Sequence, residues 1–270
     1  MTSDKSILAL FLFIGMLAAH TLPTEAEMSK EERFEELNAL NWEQTFHDPG
    51  TEDWREKWFL DGLKSTVENT DKGMILAAGP IDRDHACHTV LWTKESFEGD
   101  VKIEMDYWRL DTVTRNVNIM YIQATGKEEG PYTKDIAEWS HLREIPYMRT
   151  YFNNMNLLHI SYAAHGNSDD SREYVRARRY PTKPDRPFSE TDIPPDNWET
   201  GLFEPGVKHR FTFIKKGHEL LFKVVSDEKT AVFAWDTSDF DPVTEGRIGI
   251  RHMFTRTSRY ADIRISVLKD

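Results

Sequence analysis

Apolar and polar positions alternate with a period of two along much of this chain. The clearest case is residues 85–111, HACHTVLWTKESFEGDVKIEMDYWRLD. Ala86, His88, Val90 and Trp92 alternate with His85, Cys87, Thr89 and Leu91; after a turn around Gly99, Val101, Ile103, Met105 and Tyr107 alternate with Lys102, Glu104, Asp106 and Trp108. The pattern predicts strands over 85–93 and 100–110, in a sheet with one side in the core. The other side would carry His, Trp, Glu, Asp and Arg109, a set suited to a polar, ring-shaped ligand such as a sugar.

The same alternation predicts strands over 116–124, 157–164, 209–215, 219–226, 230–236, 247–254 and 261–268, with a shorter hairpin over 64–69 and 73–77. Two insertions interrupt them. Residues 126–156 read as a helix over 133–143 followed by a loop rich in Tyr and Arg. Residues 165–206 hold Pro181, Pro184, Pro187, Pro194, Pro195 and Pro205 and read as a long loop, which in a compact domain is usually a binding element. Many short strands with turn signals and no parallel α/β pattern imply an all-β antiparallel sandwich of jelly-roll type with two long loop insertions. The predicted organisation is one β-sandwich domain over 42–270, preceded by a polar lead-in over 27–41.

Residues 1–26 have the layout of a secretory signal: Lys5, an apolar run over 7–19, then Thr24 and Ala26 at the −3 and −1 positions. That run is shorter than the roughly 20 residues that span a bilayer. The expectation is a secreted or periplasmic protein with no membrane attachment once the signal is removed. A net charge of −12 lacks the basic footprint of a nucleic-acid binder. The lone Cys87 has no partner for an intramolecular disulfide and reads as a buried structural thiol.

The run WFLDG, the 88–111 stretch and GRIGIRHMFTRTSRYADIRISVL together resemble concanavalin A-like sandwich domains, in particular the YesU-like family of bacterial domains. The resemblance covers residues 42 to 268. It implies a superfamily that includes lectins, glycoside hydrolases and polysaccharide lyases, and so a fold rather than one activity.

Three chemistries compete. Glu104 and Asp106 resemble part of the Glu-x-Asp-x-x-Glu strand of laminarinase-type hydrolases, but the third position here is Arg109, so the second glutamate is missing. β-Elimination from a uronate needs a base, donors that stabilise the dianion and an acid for the leaving oxygen. His85, His88, Arg109, Asn116, Asn118, Tyr151, His159, Tyr162 and His165 supply such groups without any metal or cofactor, and Arg256, in a smaller cluster around the turn between the last two strands, either reaches the cleft or pairs with surface acids. In that scheme His88 or His159 is the base and Tyr162 or His165 the acid. Within an acidic chain, Arg172, Arg176, Arg178, Arg179, Lys183 and Arg186 cluster in the second insertion with Tyr174 and Tyr180 among them. Arginine forks beside tyrosines suit a carboxylated or sulfated sugar, although a solvated loop has the same composition. Trp92 and Trp108 are either stacking platforms or core. The leading expectation is β-elimination on an anionic oligosaccharide or polysaccharide. Non-catalytic carbohydrate binding is the alternative, and hydrolysis the third.

Overall fold

The computed structural model describes residues 28–168 and 170–269; the expected signal segment lies outside them. Two antiparallel sheets face each other. The first holds β1 (Trp42–Asp48), β3 (Thr66–Thr70), β4 (Gly73–Ala77), β7 (Val101–Arg109), β12 (Lys208–Lys216), β13 (Glu219–Val225), β14 (Thr230–Asp236) and β16 (Thr257–Leu268). Its order is β14-β13-β12-β7-β16-β4-β3, with β1 paired to β16. The second holds β2 (Trp58–Asp61), β5 (Thr89–Thr93), β6 (Phe97–Glu98), β8 (Asn118–Gly126), β9 (Met155–Ala164), β10 (Tyr174–Tyr180), β11 (Asp192–Trp198) and β15 (Glu245–His252). Its order is β11-β10-β9-β8-β15-β5-β2, with β6 paired to β15. The all-β sandwich expected from the alternation is what forms.

Along β7, Val101, Ile103, Met105 and Tyr107 are buried while Lys102, Glu104, Asp106 and Trp108 are half-exposed. The inward residues meet Met120, Ile122, Ile160, Tyr162, Val175 and Ile250 of the second sheet in the main core. The outer face of the first sheet carries ion pairs instead: Lys208 with Asp106 at 2.7 Å, and Arg210 with Asp106 at 3.4 Å. The carboxylates of the hydrolase reading belong to this solvated network.

The second sheet is buried on both sides. Every residue of β5 and of β8 is buried. Its outer face carries Val90, Trp92, Ile119, Tyr121, Leu157 and Tyr180, and Ile136, Trp139 and Tyr151 of the first insertion cover them. Beneath this cover, Asp61 accepts hydrogen bonds from Trp92 Nε1 (2.8 Å), Arg143 Nε (2.6 Å) and Tyr151 Oη (2.9 Å).

Several expectations are corrected. Residues 85–93 are not one strand: His85–Cys87 form a 3-10 turn, because the Asp84 side chain accepts the Ala86 N–H and caps it. The strand begins at Thr89. It also lies in the other sheet from β7, since its two edges are taken by β2 and β15. In the first insertion, Asp135 accepts the Ala137 N–H in a local turn, and only Ser140–Arg143 form a 3-10 turn. The helix, α2 (Met148–Asn154), falls in the stretch read as loop. The second insertion is not a loop but contains β10 and β11. The lead-in also folds. α1 (Lys30–Asn38) has a Ser29/Glu32 capping box, and buries Phe34 and Leu37 against Ile214, Leu221 and Val232.

Candidate functional site

Where the cover stops, the outer face of the second sheet opens into a cavity of about 900 Å³, at the upper end of ligand-pocket sizes. Strand pairing sets its floor. Arg178 lies across from His159, and Arg176 across from Ser161; alternation sends these four outward while Val175, Ala177 and Ile160 enter the core. His88, Val117, Met253 and Phe254 continue the floor; Asn116, His165 and Gly166 form one wall. Tyr147, Met148, Arg149 and Phe152 make the roof. Arg83 and His85 stand at one rim, and Arg172, Tyr174, Phe188 and Trp198 at the other.

Arg83, Arg149, Arg172, Arg176 and Arg178 all line this cavity, and among its described lining residues there is no Asp or Glu. The acids lie behind. Asp196 accepts from Arg176 Nε at 2.7 Å, and Asp192 pairs with Arg178 at 2.7 Å, so these two guanidiniums are fixed in place. Arg172 lies 4.6 Å over the Trp198 ring, and Arg176 4.8 Å over that of Tyr174.

Burial, with Arg251 and His85 nearby, pushes His88 down to about 2. Burial beside Arg178, Arg251 and Arg176 holds His159 well below the ordinary histidine value. Burial also lowers His165, against the opposing hydrogen bond to the Ser171 carbonyl. These three rings are neutral at neutral pH, because charging them would add a buried cation beside arginines.

His159 has both ring nitrogens engaged, Nδ1 with Tyr180 Oη at 2.9 Å and Nε2 with Ser161 Oγ at 2.7 Å. His165 Nδ1 donates to the Ser171 carbonyl at 2.8 Å, which leaves a lone pair on Nε2. That Nε2, His88 Nδ1 and Asn116 Nδ2 are buried with no hydrogen-bond partner among the described residues. Buried polar atoms are normally paired, and these three orphans belong to side chains that line one cavity.

Of the residues singled out from sequence, the structure brings His85, His88, Asn116, His159, His165, Arg172, Tyr174, Arg176 and Arg178 together here. It places the others elsewhere. Tyr162 lies between the sheets with its hydroxyl 2.7 Å from that of Tyr260. Asn118 also points into the core, donating to Tyr107 Oη at 3.2 Å. Trp92 stacks on Tyr121 at 5.4 Å beneath the cover, where Tyr151 is also buried. Trp108 lies on the outer face of the first sheet, under Arg259 at 4.2 Å. Arg179 donates to the Asp241 carbonyl at 3.0 Å, outside the cavity.

Arg109 and Arg256 share Asp111, at 3.2 and 3.0 Å. Arg256 also donates to the carbonyls of Asn116 (3.0 Å) and Ala163 (2.7 Å). It holds the backbone that carries Asn116 and His165 and is not itself in the cavity. The roof residues Tyr147 and Arg149 and the rim residues Arg83, Phe188 and Trp198 were not singled out. Only the Tyr- and Arg-rich character of residues 146–156 hinted at the roof. Among the described residues no group of three or more His, Cys, Asp or Glu could hold a metal ion.

No protein-family profile matches the chain, and no curated protein matches it. Solved structures do. A Bacillus subtilis protein of unknown function with a galectin-like fold is 16% identical, with a TM-score of 0.62 over 85% of this chain and 100% of that one. The exoplasmic/lumenal domain of VIP36, bound to Ca2+ and Man3GlcNAc, is 8% identical at TM-score 0.54, covering 85% and 92%. Lectin UEA-II, complexed with galactose, is 6% identical at 0.52, covering 82% and 97%. At such identities these similarities establish the fold, a concanavalin A-like sandwich of the galectin and legume-lectin kind.

Proposed function

We propose that the cavity binds an anionic saccharide, one carrying carboxylate or sulfate groups. The observation that carries this is the charge of the lining: five arginines and no described carboxylate in a chain of net charge −12. With 46 Asp and Glu to 34 Lys and Arg in the chain, a lining of arginines without a described carboxylate departs from the overall balance. Guanidinium forks match carboxylate and sulfate oxygens in pairs. Tyr174 and Trp198, with ring centroids 5.3 Å apart, offer apolar faces to a sugar ring. Two structural neighbours hold Man3GlcNAc and galactose, which accords with a saccharide ligand. The leader read in residues 1–26 would place such a protein outside the cytoplasm. Calorimetry with uronate, sulfated and neutral oligosaccharides of matched length tests the reading. An anionic member binds and its neutral counterpart does not; equal binding of both would contradict it.

A second reading, β-elimination on that saccharide, is favoured by the free lone pair of His165 Nε2 beside the unpartnered Asn116 Nδ2. In this scheme Asn116 and the arginines hold the uronate carboxylate and stabilise the dianion. Nε2 takes the proton next to the carboxylate, the C–H electrons form the new double bond, and the neighbouring C–O bond breaks. The protonated ring then returns its proton to the leaving oxygen. His165 takes over the base role from His159, whose nitrogens are both occupied, and from His88, which is fully buried with Nε2 against His85; Tyr162 drops out because it is in the core. Ultraviolet absorbance of the conjugated product is the measurement. It rises with wild type and is absent in His165→Ala, which still binds; turnover in His165→Ala equal to wild type would sink the mechanism.

A further inference from the structure

A second groove, of about 590 Å³, runs along the far side of the roof. It shares Tyr147 and Arg149 with the cavity, so the two are separated by one ridge of side chains. Lys127, Arg149 and Lys183 line it together with Asn153 and Tyr132, and its described lining residues include no Asp or Glu. Lys127 lies 5.6 Å over the Tyr132 ring, again pairing a cation with an aromatic face. Its ammonium is also 3.1 Å from Glu129, and that of Lys183 is 2.5 Å from Asp241. Both carboxylates are largely exposed, and exposed pairs of this kind are worth little, so a polyanion can replace them. Arg149 makes no ion pair among the described residues; its one partner is the Tyr147 ring at 5.9 Å.

We propose that the cavity and this groove form one extended binding track for a chain of anionic sugars. The chain crosses the ridge at Tyr147 and Arg149, and its next units lie against Lys127 and Lys183. The inference rests on the anionic-saccharide reading and adds to it that the ligand is a polymer segment, not a single terminal unit. Basic side chains on both sides of a shared arginine, with no carboxylate among the described lining residues, are what such a ligand requires in an acidic protein.

The experiment compares a uronate disaccharide with an octasaccharide of the same repeat by calorimetry, using wild type and the double variant Lys127→Ala/Lys183→Ala. Both lysines are at the surface, and circular dichroism confirms the fold. The expected result is that wild type binds the octasaccharide more tightly than the disaccharide. The double variant loses about tenfold in affinity for the octasaccharide and none for the disaccharide. Unchanged octasaccharide affinity in the variant, or equal affinity of both ligands for wild type, overturns the extended track while leaving the cavity reading intact. Failure of wild type to bind either ligand removes both.

Discussion

At the scale of single residues, the site is a set of neutral imidazoles among fixed guanidiniums, and this arrangement has a thermodynamic signature. Burial, followed by the nearby Arg256, pushes His252 down to about 3; His88 is at about 2, and His159 is well below its ordinary value. In the unfolded chain each titrates near pH 6.5, so below that pH the unfolded state binds more protons than the folded one. Stability therefore holds above about pH 7 and falls as the pH drops. Each of the three histidines contributes a slope approaching about 1.4 kcal/mol per pH unit until its folded-state value is reached. Urea melts from about pH 7.5 to pH 5 read this directly, before most carboxylates titrate. A midpoint that falls steadily across that interval is expected, and a flat profile contradicts the buried neutral rings. The sequence named His88 and His159 but could not sort them. Strand parity already set Tyr162 opposite His159 and Ser161, yet which side was solvent depended on the neighbouring sheet.

Among elements, local patterns were legible and pairings were not. Alternation along β7 gave its two faces correctly, because each residue's direction follows from the backbone alone. The runs in β5 and β8 gave no such guide, since both of their faces are apolar and buried. The hairpin expected around Gly99 failed for the same reason: partner choice between β5 and β7 is a long-range matter. The arginine cluster was visible, but its place on a strand was hidden by the prolines flanking β10 and within β11. The polar lead-in docks on few apolar residues: Phe34 and Leu37 are its buried ones, and Arg33 with Glu219 and Lys223 with Glu35 tie α1 to the same sheet. Phe34→Ala should lower the unfolding free energy by about 3 kcal/mol, measured by denaturant titration. An unchanged midpoint would mean that the helix is not part of the cooperative fold.

The whole molecule is an acidic sandwich that gathers five arginines where the cover over one sheet ends. Its fold could be read from periodicity, and the basic cluster on which the proposed ligand rests was visible against the overall charge. The position of the site could not be read, because the roof comes from Tyr147 to Phe152, a stretch with no strand pattern and only a seven-residue helix. No helix among the described residues is long and apolar enough to cross a membrane. The protein's overall negative field opposes a polyanion, so the cavity arginines must act at short range, through paired and partly desolvated contacts. Their effect should therefore depend on position and not on total charge. The most direct measurement is the affinity of a uronate oligosaccharide for wild type and for Arg149→Ala/Arg172→Ala, beside a control that removes two arginines from the opposite sheet, Arg210→Ala/Arg264→Ala. The account predicts roughly a tenfold or greater loss in the cavity variant and no change in the control. Equal affinity in all three proteins would contradict it.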